Sequence, residues 1–195
     1  MKIREIKTYK FNELTDKQKE KALEKYYNIN TDHEWWDCEF EDFKTIASLM
    51  GIKIDNIYFA GFSSQGDGAC FTGNYSYEKQ AIKKVKEYAP QDTELHRIAG
   101  QLQEIQKRHL YLISATIKHN GHYYHELCTD IDVVDFNGYS IAGDDFDNIT
   151  ELLRDLMRWM YSQLDKQYNY LVSEKEIEET LIANEYDFTT NGEIF

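Results

Sequence analysis

The sequence has little proline, few cysteines and no long apolar segment. Its 195 residues include a single proline, Pro90, so no proline-rich linker divides the chain. No apolar run approaches the roughly 18 residues that a membrane-spanning helix needs, and the first residues form no hydrophobic signal core. We therefore expect neither membrane insertion nor export. The cysteines Cys38, Cys70 and Cys128 are odd in number and widely spaced, which is typical of reduced cytosolic thiols and not of a disulfide framework or a zinc site.

Basic residues are missing from two stretches of an already acidic chain. The formal net charge is −13, a balance that repels nucleic acid backbones and favours basic partners. No Lys or Arg lies between Lys118 and Arg154. That interval contains eight carboxylates, namely Glu126, Asp130, Asp132, Asp135, Asp144, Asp145, Asp147 and Glu151. Residues 32–42 carry six more and no Lys or Arg, among them Asp32, Glu34, Asp37 and Glu39.

Two interpretations of these acidic stretches remain open. They form either an ordinary solvated surface or a surface that docks on a basic protein, such as one that itself handles nucleic acid. Segment 78–108 has seven bases against five acids. This excess is too small to indicate direct nucleic-acid binding.

Hydrophobic periodicity predicts an α+β fold, because strands come as hairpins and helices come in blocks. We expect a single domain over residues 1–195, with an antiparallel sheet built from hairpins at about 52–75 and 110–134. Residues 78–109 form a helical insertion between the hairpins. The predicted helices cover residues 15–27, 31–51, 77–88, 92–109, 146–171 and 173–185, and further strand-like segments cover residues 2–11 and 186–188.

Several local signals sharpen these boundaries. Thr15 and Gln18 have the spacing of a capping box, and Trp35 and Trp36 are expected to anchor the start of the helix over 31–51. In the long helix over 146–171, Asp145 or Asp147 is a candidate cap.

The dipeptide Asn120-Gly121 predicts a two-residue hairpin turn. The turn would pair residue 119 with 122, residue 117 with 124 and residue 116 with 125. His119 and His122 would then share a face that His125 does not. We therefore predict no three-histidine metal site, and no cofactor.

The most distinctive stretch of the sequence runs from Gly61 to Phe71. Its polar turn consists of Ser63, Ser64, Gln65, Gly66, Asp67 and Gly68. It lacks the Gly-x-Ser-x-Gly elbow of serine hydrolases, and it lacks the lysine and following helix of a phosphate loop. We predict a structured hairpin loop, while a small anion nest on its backbone N–H groups remains an alternative.

Three segments carry a family resemblance. They are Glu34-Trp35-Trp36-Asp37, residues 57–71 with the sequence Ile-Tyr-Phe-Ala-Gly-Phe-Ser-Ser-Gln-Gly-Asp-Gly-Ala-Cys-Phe, and residues 182–192. Together they resemble a group of small phage and prophage proteins that are labelled antitoxin-like or left uncharacterised. The resemblance brings no catalytic residues. It implies the cytoplasm of an infected or lysogenic bacterial host, and a protein that neutralises a host component, as antitoxins and anti-CRISPR-type inhibitors do.

The leading hypothesis is therefore an acidic, non-enzymatic inhibitor. It would dock on a basic host protein, such as a toxin or a defence complex that handles nucleic acid, through the acidic residues named above, by steric block or by nucleic-acid mimicry. Two alternatives stay open. The chain could bind a small ligand or nucleotide, or act as an enzyme, using residues 63–68 with Asp67 and a nearby histidine. It could also be a phage assembly protein that forms homo-oligomers through its aromatic surface.

Overall fold

The computed structural model describes residues 7–141 and 143–195 and has the predicted α+β fold. In the described part of the chain, four strands form an antiparallel sheet and two short strands form a second one. The strands are β1 (Tyr9–Lys10), β2 (Ile52–Ala60), β3 (Gly68–Ser76), β4 (Ser114–His119), β5 (Thr129–Val134) and β6 (Asp187–Phe188). The helices are α1 (Asp16–Lys25), α2 (Asp37–Leu49), α3 (Ala81–Tyr88), α4 (Thr93–Arg108), α5 (Asp144–Leu171) and α6 (Glu174–Ala183).

The chain forms two compact units. The central unit is Asp37–Asp165 and holds the four-stranded sheet in the order β2-β3-β4-β5, with α2, α3, α4 and most of α5. The terminal unit combines the chain up to Trp36 with Lys166–Phe195. Within it, β1 pairs with β6, and a small core forms around Phe11, Ala22 and Leu181.

The central hairpin has the strands that the sequence predicts. β2 and β3 pair from Ile52↔Tyr75 to Ala60↔Gly68, with an irregularity between Ile54 and Asn56. The residues left between the strands are the polar turn of the distinctive stretch.

The second hairpin differs from its prediction, and the two-residue turn at Asn120-Gly121 is wrong. β4 ends at His119, which pairs with Thr129, so a nine-residue connection (120–128) joins the strands. The observed register places Ile117 opposite Ile131, where both are buried, and not opposite Tyr124. Because a shift in register moves apolar side chains off the core face, this apolar match outweighs the local preference of Asn-Gly for a tight turn.

The paired tryptophans precede a helix and do not start one. α2 begins at Asp37, and the residues before it form turns, so the predicted helix start near residue 31 is wrong. Asn and Asp side chains compete with helix formation by favouring turns. Trp35 and Trp36 are both partly buried and pack edge to face with their ring centroids 5.6 Å apart.

Most other helix boundaries lie close to their predicted positions, but α3 begins at Ala81, four residues after its predicted start at residue 77. The backbone N–H of Thr15 donates to Gln18 Oε1 at 2.9 Å, which confirms the capping box. α5 begins two residues before the predicted start, so Asp145 and Asp147 lie inside its first turn and do not cap it. Carboxylates in that turn stabilise the helix dipole. Of the predicted strand over 2–11, residues 2–6 lie outside the described residues, and Tyr9–Lys10 is β-strand.

Among the described residues, no helix combines the length and the apolar character required to cross a membrane.

Candidate functional site

The polar turn of the central hairpin is closed by its own aspartate. This motif loop, residues 61–68, wraps around Asp67. Asp67 Oδ2 accepts hydrogen bonds from the backbone N–H groups of Ser63 at 2.8 Å and Ser64 at 2.7 Å. Backbone N–H groups that converge in this way form an anion nest. Here the anion that fills the nest is the side chain of Asp67.

The glycines of the motif loop leave room for a second loop. This histidine loop, residues 120–128, lies directly against them. A Cβ atom added to Gly66 would lie 2.7 Å from the ring of Tyr123, and one added to Gly68 would lie 2.6 Å from the Cα and Cβ atoms of His125. Gly66 also has a positive φ of 106°, which favours glycine. The Gly-Asp-Gly sequence thus shapes a close loop-to-loop contact.

Two of the three histidines, His119 and His125, form hydrogen bonds with neighbouring backbone groups. His119 donates from Nε2 to the carbonyl oxygen of Tyr123 at 2.9 Å, and its ring lies 5.0 Å from Tyr58 and 5.4 Å from Tyr124. His125 Nδ1 accepts from the backbone N–H of Leu127 at 3.2 Å. No group of three or more His, Cys, Asp or Glu residues in the described ranges could hold a metal ion.

His125 also contacts a cysteine. Its Nε2 lies 3.4 Å from Cys128 Sγ. Since Nδ1 accepts a backbone N–H, the ring proton of the neutral imidazole sits on Nε2 and points at the sulfur. A cysteine nucleophile needs a nitrogen lone pair that removes its proton, and this ring instead donates to the sulfur. Nearby, burial raises the pKa of the Cys70 thiol to about 12, so Cys70 stays protonated at neutral pH.

The interval between Lys118 and Arg154 contains no Lys or Arg. Several of its carboxylates are nevertheless neutralised by arginines from outside the interval. Glu126 pairs with Arg158 at 3.0 Å, and Glu151 pairs with Arg154 at 2.8 Å. Hydrogen bonds from Arg154 and Arg158 lower the pKa of Glu151. These arginines lie one and two helical turns after Glu151 on α5, which places them on its face of the helix. The pair between Arg158 and Glu126 joins α5 to the connection between β4 and β5.

Asp145 is neutralised from the other side, by the end of α4. It accepts from Arg108 at 2.5 Å and from His109 at 2.9 Å. These two hydrogen bonds hold the pKa of the Asp145 carboxyl below its ordinary range. The contact ties the start of α5 to the end of α4 and neutralises the Asp145 carboxylate.

Four of the five remaining acids of this stretch face the solvent. Asp130 and Asp132 lie on the exposed face of β5, opposite Lys118 and Thr116. Asp144 and Asp147 are exposed in the first turn of α5. Neither Asp144 nor Asp147 has an ion pair with any described residue.

Two exposed aromatic side chains accompany these acids. They lie in the Phe136 loop, which we define as residues 135–141 and 143–147. Asp135 Oδ1 accepts from the backbone N–H groups of Asn137 and Tyr139, both at 2.9 Å, and closes the turn. Phe136 is 70% exposed and Tyr139 is 73% exposed. The turn therefore presents two rings to solvent, and Asp144 follows Tyr139 five residues later in the sequence.

The loops can now be compared with known proteins. Residues 35–174 match the family model described as Domain of unknown function (DUF8835). The chain belongs to this family. No curated protein and no solved structure matches it. The DUF8835 match takes in the whole central unit, and with it the motif loop, the histidine loop and the Phe136 loop. Helix α1 and most of α6 lie outside the DUF8835 match.

The other acidic block straddles the start of the DUF8835 match and the division between the units. Asp32 and Glu34 are exposed and belong to the terminal unit, whereas Asp37 and Glu39 belong to the central unit. Burial and the neighbouring carboxylate of Asp42 raise the pKa of Glu39. This block therefore does not form a uniform exposed acidic surface within one unit.

The raised pKa of Glu39 predicts a dependence of stability on pH. The unfolded chain has an ordinary Glu pKa, so stability falls as the pH rises from that range through the raised pKa of the folded state. Glu39→Gln removes the ionisation cost near neutral pH. We expect a melting temperature higher by roughly 1–2 °C, because a partly exposed charge is screened. The gain should vanish at about pH 3, where Glu39 is protonated. Thermal unfolding of Glu41→Gln, at an exposed site paired with Lys44, serves as the control, and an equal gain there would contradict the assignment.

Sequence reasoning missed the two aromatic residues that complete this site. Phe136 and Tyr139 lie in a Phe-Asn-Gly-Tyr segment directly after a strand. An Asn-Gly pair there signals a turn, and apolar residues flanking a surface turn would have been the available signal.

Proposed function

We propose that this protein is a non-enzymatic binding protein that docks on a basic partner protein through the Phe136 loop. The observation that carries the proposal is the pair of exposed rings, Phe136 and Tyr139, held on a closed turn and followed along the chain by exposed carboxylates. Large aromatic residues in protein interfaces supply much of the binding free energy at a low cost in conformational entropy. Asp135 supports this arrangement because its hydrogen bonds fix the turn before a partner arrives.

The exposed carboxylates that follow the rings in the sequence favour a basic partner. Asp144 and Asp147 are exposed, and opposite charge on a partner would accelerate the encounter and select against acidic surfaces. The whole chain adds to this attraction with its formal net charge of −13. The resemblance to phage and prophage proteins supports a host protein that binds nucleic acid as the partner, and inhibition as the consequence. The contact residues are then Phe136, Tyr139, Asp144 and Asp147, with Asp130 and Asp132 on the neighbouring strand.

A comparative capture experiment tests the proposal. Wild-type protein and the double variant Phe136→Ala/Tyr139→Ala are immobilised and exposed to a bacterial host lysate. We expect the wild type to retain a basic protein that the double variant loses, and salt to elute it because exposed charges are screened. Phe195→Ala is the matched control, since Phe195 is 71% exposed, and it should retain the same protein. An empty wild-type column, or identical retention by the double variant, would refute the proposal.

A further inference from the structure

The terminal unit carries a groove of about 670 Å³ that the proposed function does not use. One wall is α1 with the turn that follows it, and the other is the segment that leads into α6. Leu23 and Tyr27 come from the first wall, and Val172 and Ile177 come from the second. These four side chains together form the apolar floor between the walls: Val172 and Ile177 are buried, Leu23 is partly exposed, and Tyr27 is 45% exposed. The groove therefore offers an apolar surface that is open to solvent.

The rim of the groove is acidic. Asp16, Glu20 and Glu24 follow one another at intervals of four residues along α1, so they lie on one face of the helix. Glu174, at the start of α6, faces the same groove. All four are exposed, and none forms an ion pair with another residue in the described ranges. An apolar floor with a carboxylate rim complements a segment that is apolar on one side and basic on its flanks.

One basic residue, Lys19, also lines the groove. Its ammonium lies 5.5 Å from the centre of the Phe11 ring, a favourable cation–π contact. The charge of Lys19 is thus directed toward the interior of the terminal unit, and the four carboxylates set the charge of the rim.

We propose that this groove binds an amphipathic helix rich in lysine or arginine, supplied by a partner protein. Helices bind such grooves by placing apolar residues at intervals of three and four against the floor. α1 has ten residues, so the groove extends for about 15 Å, which accommodates about three turns of a helix. The groove is a second binding surface, since α1 lies outside the DUF8835 match and none of its residues belongs to the Phe136 loop.

The test uses the full chain and a synthetic probe. The probe is a fluorescein-labelled amphipathic helix of leucine and lysine, and its affinity is measured by fluorescence anisotropy. We expect Glu20→Gln/Glu24→Gln to weaken binding at least tenfold. The control pair Glu178→Gln/Glu179→Gln removes the same charge from the same unit on α6, away from the residues that line the groove, and should change the affinity less than twofold. Equal losses of affinity in both double variants would show that the probe responds only to the net charge of the protein, and they would overturn the proposal.

Three further measurements test which kind of helix binds and where on the protein it binds. Tyr27→Ala should weaken binding of the leucine–lysine helix about threefold to tenfold, with an unchanged circular dichroism spectrum of the protein. Unchanged affinity would overturn the role of the apolar floor. A leucine–glutamate helix should not bind, and equal affinity for it would overturn the charge argument. Asp144→Asn/Asp147→Asn should leave the affinity unchanged. A loss only in that variant would place the probe on the Phe136 loop and overturn the groove proposal, while leaving the proposed function intact.

Discussion

Replacing Phe43 with alanine is expected to lower the free energy of unfolding by about 3–5 kcal/mol, as for other fully buried phenylalanines. Phe43 lies on α2 and is 1% exposed. Its ring meets Trp159 of α5 edge to face, with the centroids 5.6 Å apart. The truncation removes this aromatic contact and leaves a cavity that close-packed neighbours fill only in part. Urea denaturation followed by tryptophan fluorescence measures the change.

Phe136→Ala is the matched control for this prediction. It removes the same ring from a site that is 70% exposed, and surface substitutions of this kind change stability by less than about 0.5 kcal/mol. If both variants lost a similar free energy of unfolding, the central unit would not have its core between α2 and α5. A stable Phe136→Ala protein is also required for the binding experiments, because a loss of binding then reflects the interface and not the fold.

Gly68→Ala is expected to destabilise the protein by about 3 kcal/mol, at the upper end of the usual cost of overpacking. The added methyl group would lie 2.6 Å from the Cα and Cβ atoms of His125. Backbone atoms of the histidine loop cannot rotate out of the way, so the two loops must separate. Urea denaturation measures the loss of stability.

Gly100→Ala provides the comparison. Gly100 lies in α4, where a Cβ atom would meet only Ile82 Cδ1 at 3.9 Å. Alanine favours a helix interior over glycine by about 1 kcal/mol, so this variant should be neutral or more stable than the wild type. If Gly68→Ala proved as mild as Gly100→Ala, the histidine loop would not be packed on the motif loop.

Much of the fold was predictable because local rules and tertiary packing agree. The capping box at Thr15 needs only Gln18, and the central hairpin needs only two apolar runs around a glycine-rich turn. The second hairpin was not predictable in this way, since Asn120-Gly121 favours a tight turn locally. The observed register buries Ile117 against Ile131. This stabilisation comes from residues that are distant in the sequence, so the local preference of a turn cannot predict it.

The sequence identified the acidic residues of the candidate site, but it did not show which of them are neutralised by ion pairs. The stretch between Lys118 and Arg154 has no basic residue in sequence, yet Arg108 and Arg158 reach Asp145 and Glu126 within it. The packing of α4 against α5 creates the first pair, and the second joins α5 to the histidine loop, which contains Glu126. Neither pair is visible in a linear count. The Asn-Gly pair between Phe136 and Tyr139 predicts a turn, but the exposure of the Phe136 ring depends on how Asp135 closes that turn, so the sequence alone did not assign these residues to the site.

The most direct measurement is the dissociation constant of the captured partner for four forms of the protein. Surface plasmon resonance should show binding weakened by at least about 30-fold in Phe136→Ala/Tyr139→Ala, the loss typical of interface hot spots. Asp144→Asn/Asp147→Asn should mainly slow association and flatten its salt dependence. Phe195→Ala should match the wild type. Equal dissociation constants for the wild type and the Phe136→Ala/Tyr139→Ala variant would contradict the assignment of the Phe136 loop as the binding surface.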